Sequence, residues 1–95
     1  MTNVVKLSEN GKIARGSKIK GGCVKLNSGE KMHKHNTENG EEVIIVLEGT
    51  ATVLIGQIEQ RVGKEESIFI PMQTEHEVRN ESEFPLRYVY IVGGK

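Results

Sequence analysis

The stretch EVIIVLEGTATVLIGQIEQRVG, residues 42–63, decides how the chain is read. Short runs rich in valine, isoleucine and leucine are cut by single glycines at 49, 56 and 63, and no window carries a helical stripe. Apolar segments of about 4–8 residues bounded by turn formers are the pattern of strands in a sandwich or barrel. The same texture runs outward in both directions, and valine plus isoleucine supply 19 of the 95 residues. Strands are expected near 4–7, 19–27, 42–48, 50–55, 57–62, 67–71, 76–79 and 86–92. Turns are expected at Asn10-Gly11, Gly21-Gly22, Ser28-Gly29 and Asn39-Gly40, and in the loop from Asn80 to Pro85. Parallel strands need long crossovers, usually helical, and none is visible. The expectation is an all-β antiparallel barrel or double-stranded jelly roll, built as one domain over residues 1–95.

Composition narrows the function. Thirteen basic and thirteen acidic residues give a formal net charge of zero, with no block of like charge to grip a phosphate backbone, so no nucleic-acid partner is expected. The opening residues MTNVVKLSENGK lack the apolar core of a signal peptide, and the longest apolar run, Val43 to Leu47, is too short to span a bilayer. A cytoplasmic protein with no membrane partner is expected. The lone Cys23 cannot form an internal disulfide and reads as core packing. VIIVL at 43–47 is apolar on both faces, which calls for a second layer or a second chain outside the barrel and so for a homodimer.

Chemistry concentrates in GEKMHKHNTENGEE, residues 29–42. Two of the three histidines, His33 and His35, stand one residue apart, and in an extended segment they project from one face. His76 opens another short extended segment, HEVR. Imidazole nitrogens with a carboxylate suit manganese, iron, nickel, copper or zinc, whereas magnesium and calcium prefer oxygen ligands alone. Taken by itself, the histidine pair is equally at home on a solvated surface. Glu38, Glu41 and Glu42 all qualify by chemistry as the acidic partner, but Glu42 shares strand parity with Ile44 and Val46, while Glu41 faces the other way and Glu38 lies in a turn-forming stretch before Asn39-Gly40.

The placement of these residues resembles that of the cupin family. Gly29, His33, His35, Glu42 and Gly49 match its first motif; Pro71, His76 and Asn80, in FIPMQTEHEVRN, match its second. The resemblance covers about residues 22–92. It implies a small β-barrel holding a divalent transition metal on His33, His35, Glu42 and His76. Six residues separate His35 from Glu42, more than is usual in the family, and Glu65 and Gln73 stand where it often has glycine.

Such a ligand set leaves coordination positions open for a small molecule. The residues favour a metal-dependent enzyme, an isomerase, lyase or similar Lewis-acid catalyst, acting on a small polar carbohydrate-like or carboxylate substrate. A dioxygenase with the same ligands and a non-catalytic sensing module are the alternatives. No catalytic base is assigned. Tyr88 and Tyr90 share one face of the last strand, and sequence leaves open whether that face looks inward. Lys25, Lys31, Lys34, Arg79 and Arg87 read as surface charges.

Overall fold

In the computed structural model, residues 3–94 are described, and they form nine strands in two antiparallel sheets. The strands are β1 (Gly11–Arg15), β2 (Ile19–Leu26), β3 (His35–Asn36), β4 (Glu41–Glu48), β5 (Thr50–Ile55), β6 (Ile58–Gly63), β7 (Ser67–Ile70), β8 (Glu75–Arg79) and β9 (Leu86–Gly93). One sheet runs β1-β2-β9-β4-β7 and the other β3-β8-β5-β6. No helix of the described residues is long and apolar enough to cross a membrane. The all-β jelly-roll architecture is that expected from the sequence.

Period-two alternation builds the interior. In β4, Glu42, Ile44 and Val46 are buried while Glu41 is exposed and Val43, Ile45 and Leu47 are half-buried. Ile44 and Val46 meet Val53, Ile70, Val78 and Leu86 between the sheets, all at most 2% exposed. Burying each such side chain contributes about 1.5–3 kcal/mol. Gly56 begins the two-residue β5–β6 hairpin loop at φ 61°, where tight turns want glycine. Gly49 carries the chain from one sheet to the other at φ 84°, and a Cβ there would lie 2.3 Å from the Pro85 carbonyl oxygen.

Two expectations change. No strand forms at 4–7, where Val4, Val5 and Leu7 are exposed; the edge beside β2 is taken by β1, with Gly11 opposite Cys23. An edge strand faces water and tolerates the polar sequence GKIAR, so apolar content misplaces it. Gly21-Gly22 makes no turn but lies buried inside β2, because a Cβ on Gly21 would stand 2.8 Å from the Tyr90 carbonyl oxygen and one on Gly22 2.8 Å from the Tyr90 hydroxyl. Glycine in a strand interior marks such close approach.

Candidate metal centre

The centre is assembled by strand register. Pairing of β3 with β8 sets His35 opposite His76, so the two rings share a face, with centroids 4.1 Å apart at 67°. Glu42 enters from β4 in the other sheet, and its Oε1 lies 3.0 Å from Nε2 of His76 and 3.8 Å from Nε2 of His35. One ligand atom from each of His35, Glu42 and His76 falls within 4.8 Å of the others. His33 is exposed and is not among them.

The main chain fixes both rings. Nδ1 of His35 donates to the carbonyl of His33 at 2.9 Å, and Nδ1 of His76 donates to that of Thr74 at 3.1 Å. A carbonyl only accepts, so each Nδ1 carries the proton and each neutral ring turns the Nε2 lone pair toward Glu42. Residue 33 therefore contributes its carbonyl to the site. Thr37, buried beyond β3, donates its hydroxyl to the Pro71 carbonyl at 2.7 Å and accepts from the Thr74 amide at 3.0 Å. These bonds tie the His35 segment to the turn that carries Thr74. Sequence reading passed over Thr37, whose signal is a β-branched residue inside a polar stretch.

His76 is 1% exposed, and its Nε2 has no hydrogen-bond partner: the Glu42 oxygen lies 3.0 Å away but outside hydrogen-bond alignment. Burial lowers the pKa of His76, but the Glu42 carboxylate and the Thr74 carbonyl outweigh burial and hold it above the ordinary histidine value. Glu42 is 5% exposed, and among the described residues no lysine or arginine pairs with it. Two imidazole nitrogens and one carboxylate oxygen, the His35 side chain half-exposed and the His76 ring and Glu42 carboxylate buried, fit a divalent transition metal by donor chemistry.

Beside the centre lies a cavity of about 250 Å³. Its lining includes the polar residues His35, Asn36, Thr37 and Glu42 and the apolar residues Val24, Met32, Val78 and Val92. Tyr88 and Tyr90 face inward and line it. Neither hydroxyl has a partner among the described residues. Burial, reinforced by the negative charge of Glu42, raises the pKa of Tyr88, so its hydroxyl keeps its proton. Lys31 and Lys34 sit on the outer side of β8, 3.9 Å from Glu77 and 3.8 Å from Glu75. Arg79 binds Glu77 at 2.5 Å, which lowers the Glu77 pKa.

The loop departures keep the backbone the family builds with glycine: Glu65 and Gln73 have φ 66° and 54°, and Glu38, in the lengthened turn, has φ 54°. Asn80 is buried and closes the 80–85 loop, donating to the carbonyls of Leu26 (3.0 Å) and Phe84 (2.8 Å).

Comparison with known proteins agrees with this architecture. In sequence, the chain is 38% identical over 76 residues to mannose-1-phosphate guanylyltransferase RfbM of Salmonella typhimurium, a match spanning 76% of this chain and 15% of that protein. In structure it is similar to the Cnp3 cupin domain of Schizosaccharomyces pombe, with TM-score 0.85 and 15% identity over 96% of this chain and 69% of that one. It is also similar to KdgF from Halomonas sp., with TM-score 0.80 and 17% identity over 90% and 77%. A Thermotoga maritima protein described as a predicted oxalate decarboxylase matches with TM-score 0.75 and 16% identity over 80% and 66%. At such identities these structures speak to fold alone. The cupin domain family matches residues 22–92, three quarters of the chain and every strand but β1, the start of β2 and the last residue of β9, and the chain is a member of that family.

Proposed function

We propose that this chain is a metal-dependent cupin enzyme in which His35, Glu42 and His76 hold a divalent transition-metal ion, and a small oxygen-bearing substrate, carbohydrate-like or carboxylate, occupies the adjoining cavity. The observation that carries the reading is the His76 ring, fully buried with its Nε2 unpartnered beside a buried carboxylate that no cation offsets. Leaving such a nitrogen unpaired costs about 1–3 kcal/mol, which an ion at that point removes. A bound ion supplies Lewis acidity that polarises a carbonyl or hydroxyl. The chain's own residues do the remainder. The carbonyls of His33 and Thr74 hold the rings in the ligating tautomer, the Tyr88 hydroxyl donates to a substrate oxygen, and Val24, Val78 and Val92 offer the substrate apolar contact. Similarity to a protein named for a phosphorylated sugar supports the carbohydrate alternative.

Two nitrogens and one carboxylate are also the ligand set of non-haem iron oxygenases, so oxygen activation is the second reading. Turnover without oxygen separates the two. The metal is tested by elemental analysis of protein purified without supplementation and by titration of ligand variants. His35→Ala and His76→Ala are expected to abolish stoichiometric binding at neutral pH. His33→Ala is expected to retain it, since the carbonyl remains; loss of the ion there would restore His33 as a fourth ligand. Unchanged affinity in His76→Ala overturns the assignment.

We further propose that the outer face of the five-stranded sheet is a homodimer interface. Phe69 and the half-buried Val43 and Ile91 form one cross-strand row, and the half-buried Ile45 adjoins it in the next, beside a Val89 that is already buried. Phe69 is 57% exposed, and apolar faces of this kind mark association surfaces.

A further inference from the structure

The cavity beside the metal centre carries a statement about ligand class that rests on the metal-binding reading. Its lining holds a single formal charge, that of Glu42, and no lysine or arginine. The cations nearest in sequence, Lys31 and Lys34, face Glu77 and Glu75 on the far side of β8. A divalent ion with one carboxylate and two neutral imidazoles leaves one unit of positive charge, with Glu42 and His76 buried and His35 half-exposed, beside a lining that includes Val24, Met32, Val78 and Val92. Buried charge is costly unless paired, so a ligand bearing one negative charge at its metal-facing end is favoured. A second anionic group further along the ligand would meet valine and methionine and would lose its water without compensation.

The size and the donors agree. A volume of about 250 Å³ falls below the roughly 300–1,000 Å³ of ordinary small-molecule sites, so the ligand is short. Tyr88 is 3% exposed, its hydroxyl is unpartnered, and it lies close enough to Glu42 to feel that charge. Gly22 leaves the space that the Tyr90 hydroxyl fills. The Tyr88 phenol is therefore the donor that stands ready for an oxygen of a ligand, the Tyr90 hydroxyl being turned over Gly22 of β2, and no lysine or arginine among the lining residues answers a phosphate.

We infer that the cavity takes an α-oxo or α-hydroxy monocarboxylate with a short aliphatic tail, its oxygens toward His35, Glu42 and His76 with Tyr88 donating to one of them, and its tail against Val24, Val78 and Val92. This selects the carboxylate arm of the proposed function over phosphorylated sugars and dicarboxylates.

The test uses full-length protein in two stages. Calorimetric titration with nickel or manganese first establishes a one-to-one metal complex; absence of any metal binding to folded protein overturns the metal reading and this inference with it. The loaded protein is then titrated with α-ketoisovalerate, α-ketoglutarate and a hexose monophosphate. The first two share one head group and differ in tail. α-Ketoisovalerate is expected to bind at least about tenfold more tightly than either other probe. Tyr88→Phe is expected to weaken it several-fold with metal affinity unchanged. Equal or tighter binding of α-ketoglutarate or the sugar phosphate, on protein that holds its metal, overturns the ligand class alone; undiminished affinity in Tyr88→Phe removes the donor assignment.

Discussion

Glu41 and Glu42 are adjacent in the chain and opposite in surroundings, one in water and one 5% exposed between two imidazoles. Glu42→Gln keeps the shape and removes the charge, so metal affinity is expected to fall by more than the roughly 10–100-fold that loss of an outer-shell partner costs. Glu41→Gln and Glu38→Gln are expected to leave metal titrations unchanged; a large loss in either would move the ligand into the loop. His76 gives a pH signature. Its folded pKa lies above the ordinary 6.5, so in metal-free protein its contribution to stability is complete below about that value and is lost as pH rises through the raised one. Melting of metal-free wild type against His76→Gln should therefore show an advantage for wild type at low pH that shrinks on the alkaline side. Metal affinity should run the opposite way and rise with pH, since the proton and the ion compete for Nε2. Of the site, Glu42 and His76 were legible because parity and motif spacing act locally. The hydrogen bonds of the His33 carbonyl and of Thr37 were not, because one is made by the main chain and the other reaches partners 34 and 37 residues away.

Among the strands, Gly49 is the junction on which both sheets depend. Gly49→Ala meets an unfavourable φ, worth about 1–3 kcal/mol, and also the Pro85 carbonyl at 2.3 Å. Gly56→Ala meets the first penalty alone, since nothing lies within 4 Å of its Cβ position. Thermal unfolding should accordingly place Gly49→Ala well below Gly56→Ala; equal melting temperatures would mean that the β4–β5 junction yields at little cost. Most strands from β2 onward could be read because burial writes alternation into β4 and turn chemistry marks its end at Gly49. β1 and β3 could not. The first is a polar edge, and the second is two residues long and exists through its register with β8.

For the molecule as a whole, the apolar exterior of the five-stranded sheet predicts assembly. Light scattering at micromolar concentration should give twice the 10.6 kDa chain mass, and Phe69→Glu should shift the protein toward the monomer. A wild-type monomer would assign Val43, Ile45 and Ile91 to some other covering. The division of labour between strands has a different kind of consequence. The three proposed ligand residues come from β3, β4 and β8, whereas β9 supplies Tyr88, Tyr90 and Val92 to the cavity and none of the three. On the proposed reading, ligand preference is open to change by exchanging side chains along a single strand while the cluster of His35, Glu42 and His76 is inherited intact. A library restricted to positions 88, 90 and 92 would vary the cavity while leaving the three proposed ligand residues untouched.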